Sequence, residues 1–133
     1  MAQAITFYLE PRSGVPPYLQ LVRQVEHALR LGMLTPGDQL PTVREVVSGL
    51  AINPNTVFKA YRELEREGLV ASRPGQGTFV LKGLAGPSPA DHQVLRAKLE
   101  RWLIEARSAG LDKPSIEALV AVCLRAESRE DIA

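Results

Sequence analysis

With 133 residues, 45% of them hydrophobic and 23% charged, the chain has the composition of one ordinary globular domain, or of a small domain with an appendage. Its formal net charge is only +1, with nine Lys/Arg against seven Asp/Glu in residues 1–82 and seven against eight in residues 83–133, so bulk charge identifies no partner. The single Cys123 excludes an internal disulfide, no Cys/His cluster has metal-ligand spacing, and neither secretory leader nor membrane-spanning run is present, so a cytoplasmic location without metal or other cofactor is expected.

Ile5 to Leu9 (ITFYL) reads as a short strand or an extended arm, and residues 11–17 as a loop. From Pro17 the spacing of Leu19, Val22, Val25 and Leu29 is helical, with proline at a position where the missing N–H costs nothing, and the pattern stops near Gly32. Thr35-Pro36-Gly37-Asp38 makes a turn. Thr42-Val43-Arg44-Glu45 has the form of a capping box and predicts a second, short helix from Thr42 to around Gly49. Asn53-Pro54 then supplies an N-cap and a first-turn proline for a third helix running to about Glu67, with Gly68 as its stop. Leu69–Arg73 and Thr78–Leu81 read as two strands joined by Pro74-Gly75-Gln76-Gly77. Residues 83–89 (GLAGPSP) form a Gly/Pro linker, and two helical stretches follow, about 90–109 and 114–128, separated by Gly110. His27 on the first helix reads as a surface or half-buried residue, and His92 has no metal-ligand partners.

Two helix starts a short turn apart, followed by a Gly-tipped hairpin, form a shape that delivers one helix into a DNA groove. On a wheel of about 100° per residue with Asn55 at zero, Thr56, Lys59, Arg62, Glu63 and Arg66 share an arc of about 120°, opposite Val57, Ala60, Tyr61 and Leu64. Taken alone, such a polar stripe is usually a solvated face. Its amides, hydroxyls and cations nevertheless suit DNA: Asn55 can bond bidentately to adenine, Thr56 can touch a thymine methyl or a phosphate, and Lys59 can reach guanine or phosphate. Phe58, near 300° on that wheel, either packs against the second helix or offers an apolar contact to a base; the preference of aromatics for burial favours packing.

Four segments in this order resemble the winged helix–turn–helix domain of the GntR family of bacterial transcription regulators: Pro36 to Glu45 (PGDQLPTVRE), Asn53 to Val57 (NPNTV), Glu63 to Leu69 (ELEREGL) and Gly75 to Val80 (GQGTFV). The resemblance covers roughly residues 17–80, and the Asn-Pro-Asn-Thr-Val start with the short tail looks most like the YtrA subfamily. It implies that Arg44 contacts DNA, that Asn55, Thr56 and Lys59 form the base- and phosphate-contacting turn of the recognition helix, and that Gly75, Gln76 and Gly77 form a wing tip that enters the minor groove. Family wings often carry Arg or Lys between the two glycines; Gln76 departs from this, and Arg73 could compensate. A salt bridge from Arg44 to Glu45 or Asp38 is the competing reading of that arginine, and turn geometry is a second reading of Gly75 and Gly77.

In the tail, Leu95, Leu99, Trp102 and Ala106 repeat at helical spacing with Leu103 beside them, and Ile116, Leu119, Val120 and Cys123 do so on the last helix. Two such helices cannot enclose a core, so the stripes pack on the preceding domain, on another chain, or on both. Trp102 is an anchor of a dimer contact or a core residue of its own chain. A homodimer is the economical answer for a reader of two-fold symmetric sites, and the resemblance also implies dimerisation through the tail.

The expected architecture is therefore α+β, mainly α: a winged helix–turn–helix over 1–82, a linker over 83–89 and a two-helix dimerisation tail over 90–133. The expected function is a sequence-specific, dimeric transcription regulator acting as a repressor, with phosphates neutralised by Arg44, Lys59, Arg62 and Arg73. The tail is too short for a large effector-binding domain, although a small ligand could sit at a dimer interface. A winged-helix protein–protein adaptor is the competing class, supported by the near-zero net charge. No enzyme motif is present, so catalysis is not expected.

Overall fold

The computed structural model describes residues 5–84 and 89–132, in two compact units that divide after Pro89. In the first unit α1 (Pro17–Arg30) starts on its proline, buries Leu21, Val22, Val25, Ala28 and Leu29, and carries His27 and Arg30 in its last turn, where cations offset the helix dipole. His27 is exposed. The chain leaves α1 through Gly32 at φ +71°, and Met33 N–H returns to Ala28 O at 2.8 Å.

Thr42 caps α2 (Val43–Leu50): its Oγ1 accepts from Glu45 N–H at 3.1 Å, and Glu45 Oε1 accepts from Thr42 N–H at 3.3 Å. The helix ends one residue beyond Gly49, close to where the sequence places its end. The stop is Ala51, which takes the left-handed conformation (φ 54°, ψ 46°) while its N–H bonds to Val47 O. A left-handed residue with a Cβ is strained, so tertiary packing and not local preference sets this turn. After it α3 (Pro54–Arg66) starts on Asn53, whose Oδ1 accepts from Asn55 N–H at 2.8 Å. Gly68 at φ +78° ends it, as the sequence predicts.

β1 (Val70–Arg73) and β2 (Gly77–Val80) pair antiparallel, Val70 opposite Val80 and Arg73 opposite Gly77. The segment between α1 and α2 extends this ladder, a pairing that the periodicity of its sequence does not signal. Leu40 N–H donates to Thr78 O at 2.9 Å and Val80 N–H to Asp38 O at 2.8 Å, with Gln39 bridged to Phe79.

The core of this unit gathers Leu21, Val25, Leu29, Leu34, Leu40, Val57, Leu64 and Val70, all essentially sealed from solvent. Burying each such side chain contributes about 1.5–3 kcal/mol. Residues 5–10 form an extended arm and not a strand, resolving the two alternatives left by the sequence. The arm is held by amide side chains of α1: Gln24 accepts from Tyr8 N–H at 3.1 Å and donates to Tyr8 O at 2.8 Å, while Gln20 accepts from Glu10 N–H at 2.8 Å. Phe7 is thereby set into the core 6.5 Å, ring to ring, from Tyr61.

The second unit is two helices, α4 (Pro89–Ser108) and α5 (Lys113–Ile132). Gly110 at φ +100° closes α4, with Leu111 N–H on Ala106 O at 3.0 Å. Asp112 Oδ1 caps α5 through Ser115 N–H at 2.9 Å, and the hydrogen bonds from Ser115 hold its carboxyl below the usual range. Of the described tail side chains only Ala106 and Ile116 are buried. Trp102 and Leu103 are half-buried; Leu95, Leu99, Leu119, Val120 and Cys123 are exposed. The predicted linker over 83–89 lies largely outside the described residues.

Candidate nucleic-acid interface

α3 is fixed from two sides. Tyr61 Oη donates to Pro41 O at 2.6 Å, tying it to the entry of α2; burial, with the nearby Glu45 carboxylate, pushes this phenol above its usual range. On the other side α1 packs against it: Lys59 Nζ lies 4.0 Å from the centre of the Tyr18 ring, and Glu26 of α1 acts on Glu67. Desolvation first, then the neighbouring Glu26 and Glu63 charges, raise the Glu67 pKa.

This clamping sets which residues face outward. Asn55, Phe58, Lys59, Arg62, Glu65 and Arg66 are exposed, whereas Thr56 and Glu63 are half-buried. The open arc is thus rotated by about 60° from the stripe the sequence predicts, because α1 covers the Thr56–Glu63 edge. Phe58 comes into the open as a result and is 48% exposed. Its ring is not among the side chains packed against the core, where its aromatic character had favoured burial.

The cations on this face are not equally free. Arg66 donates from Nε to Glu63 Oε2 at 3.0 Å, and its charge is largely cancelled there; that bond holds the Glu63 carboxyl below its usual range. Arg62 Nε leans on Phe58 O at 3.4 Å, a long contact that is easily given up. Lys59 rests on Tyr18. Arg44, in the first turn of α2, is exposed and has no ion-pair partner among the described residues. Asp38 is engaged with Thr35 N–H at 2.9 Å and Glu45 with Thr42, so the competing salt bridge of Arg44 is absent.

The wing is a tight turn in which Gln76 N–H returns to Arg73 O at 2.9 Å. Pro74 supplies the fixed φ of its second position and Gly75, at φ +74°, the positive φ of its third. Gly77 sits at φ +125°, and a Cβ there would lie 2.5 Å from Gln39 Nε2. Gln39 Nε2 donates to Gln76 O at 3.0 Å, and the Arg73 guanidinium stacks 4.6 Å from the centre of the Phe79 ring. An open hollow runs between Thr42 and the wing, lined by Ser72, Arg73 and Thr78.

The fold therefore brings Asn55, Lys59 and Arg62 together on one helix face, with Arg44 on the preceding helix and Arg73, Gly75, Gln76 and Gly77 on the hairpin. Thr56 is at the margin. Sequence reasoning missed Tyr18 and Gln39, which hold Lys59 and the wing tip; neither belongs to a local pattern. Among the described residues no group of three or more His, Cys, Asp and Glu could hold a metal ion, and no helix is long and apolar enough to cross a membrane.

Comparison with known proteins agrees with this geometry. Residues 17–80 match the family model of the bacterial regulatory proteins of the gntR family. The chain is 36% identical over 105 residues to the HTH-type transcriptional repressor YtrA of Bacillus subtilis, covering 78% of this chain and 81% of that protein. Its structure is similar to that of YtrA from Sulfolobus acidocaldarius, a GntR-family transcription factor, at TM-score 0.52 and 27% identity, over 90% of this chain and 97% of the other. It is also similar to the AraR DNA-binding domain in complex with operator ORX1, at TM-score 0.50 and 27% identity, over 60% of this chain and 99% of the other. A capped α2–α3 pair with a buttressed wing, matched over most of its length by these regulators, places the chain in the GntR family as a DNA-binding transcription regulator of YtrA-like type.

Proposed function

We propose that the protein is a cytoplasmic homodimeric repressor that occupies a two-fold symmetric operator. In this reading residues 1–82 bind DNA, 83–89 link, and 90–133 dimerise. The observation that carries it is the outward arc of α3 beside Arg44, which has no ion-pair partner among the described residues, on a fold similar to a domain solved with its operator. Arg44, Lys59, Arg62 and Arg73 supply phosphate contacts, and Asn55 reads a base edge with Thr56 at its margin. Gly75, Gln76 and Gly77 enter the minor groove as a neutral tip whose nearby charge comes from Arg73.

Dimerisation is supported by the tail. Leu95, Leu99, Leu119 and Val120 are exposed, flanked by exposed Val94, Ile104, Val122 and Leu124, so both helices are apolar on more than one side. Helices of that kind are covered in the working molecule, and in this reading a second copy covers them.

Selection of duplexes from a randomised pool with the full chain tests the proposal. Enrichment of an inverted repeat with half-sites about one helical turn apart is expected. Recovery of no preferred sequence, or of a solitary half-site, would overturn it.

A further inference from the structure

Phe58 is the one large apolar side chain in the open arc of α3, among Asn55, Lys59, Arg62, Glu65 and Arg66. It has no ring partner among the described residues; the aromatic pair of this unit is Phe7 with Tyr61. Its setting matters as much as its exposure. Tyr61, three residues on, is locked to Pro41 at the mouth of α2, and Asn55, three residues back, stands beside the helix cap. Phe58 therefore lies in the second turn of the helix, toward the Tyr61 side of the exposed arc and one turn on from Asn55. In a helix that enters the major groove by its N-terminal turns, an exposed side chain in the second turn is within reach of base edges. A lone aromatic ringed by polar groups is poor material for a protein interface, whose buried centre is broader and more apolar. It is suited to the apolar group that the floor of the major groove does offer, the C5-methyl of thymine.

We infer that Phe58 is a specificity-determining residue that reads thymine by covering its methyl group, next to the base contacted by Asn55. This inference rests on the DNA-binding reading above and goes beyond it by naming the chemistry of one contacted base. Arg62 lies on the same face, and its long contact to the Phe58 carbonyl leaves it free to turn to the phosphates alongside.

The test uses the full chain and the duplex enriched from the randomised pool. Each thymine of that duplex is replaced in turn by deoxyuridine, which removes the methyl and leaves base pairing unchanged. Wild type should lose about three- to five-fold in affinity at one thymine per half-site, the worth of one buried methyl. Phe58→Ala should bind the thymine duplex more weakly and show no further loss on the uracil duplex, whereas Phe58→Leu should retain part of the sensitivity. Thermal melting of each variant confirms the fold, which an exposed side chain should scarcely affect. Indifference of wild type to uracil at every position, or equal sensitivity in Phe58→Ala, would overturn the assignment while leaving the regulator reading intact. Failure of the pool to enrich would overturn both.

Discussion

Gln39 and Gln76 are joined across 37 residues of sequence by one hydrogen bond, from the Gln39 amide to the Gln76 carbonyl at 3.0 Å. With the backbone bonds of Asp38 and Leu40 to β2, it makes the connection between α1 and α2 a third edge of the wing. Gln39→Ala should leave the melting temperature little changed, since an exposed hydrogen bond contributes about 0.5–1.5 kcal/mol. It should weaken DNA binding several-fold and speed amide exchange at the wing tip. Gln39→Glu, which cannot donate from a carboxylate, should weaken binding further. Anisotropy titration with proton exchange read by NMR checks both variants.

Arg44→Ala should weaken binding to specific and unrelated duplexes alike and reduce the slope of log affinity against log salt by about one. Asn55→Ala should instead cost about 1–3 kcal/mol at a single base position and leave the slope unchanged. Titrations at several salt concentrations separate the two. Equal behaviour of both variants would contradict the division of roles between phosphate and base.

Tyr61→Phe should destabilise the first unit by about 1–3 kcal/mol, because the Pro41 carbonyl loses its buried donor. The phenol also carries a pH signature. Its folded pKa is raised above the unfolded value, so its contribution is fully present below about pH 10 and is lost as pH rises beyond that. Urea denaturation across alkaline pH should show wild type losing stability more steeply than Tyr61→Phe.

Ala51→Gly should stabilise the protein by about 0.5–1 kcal/mol, since relief of left-handed strain exceeds the extra backbone entropy of glycine. For a domain of this size that corresponds to a rise of roughly 4 °C in melting temperature. A fall would mean that packing has already absorbed the strain at this residue.

Leu99→Asp should convert the homodimer proposed here to monomer in sedimentation velocity while leaving the wing and α3 folded. Operator affinity should then fall steeply, because two linked half-sites bind far more tightly than one. A variant that sediments like wild type would place the subunit contact elsewhere.

The element order was legible because its signals are local. Thr42 with Glu45, Asn53 with Pro54, and Pro74 with Gly75 each act within one turn of chain, and each does in the structure what its residue types favour. What the sequence withheld depends on contacts between distant residues. The exposed edge of α3 is decided by Tyr18 and α1, the left-handed cap of α2 falls on Ala51, and the wing tip is held by Gln39. A helical wheel finds the axis of amphipathicity but not which neighbour trims its margin. That is why Phe58 was expected inside, and Thr56 and Glu63 outside.

The paired glutamines of α1 have a geometric consequence for the arm. Four helical residues advance about 6 Å and two extended residues about 6.6 Å, so Gln20 and Gln24 are almost commensurate with Glu10 and Tyr8. The two amides address alternate positions of the arm, Tyr8 and Glu10, while Phe7 and Leu9, in the other phase, turn inward. The two side chains thus act as a vernier that defines the phase of a segment lacking any strand partner. Inserting one residue between Tyr8 and Glu10 would leave Gln20 on Glu10, put the Gln24 amide out of step with Tyr8 and present Tyr8 to the core in place of Phe7.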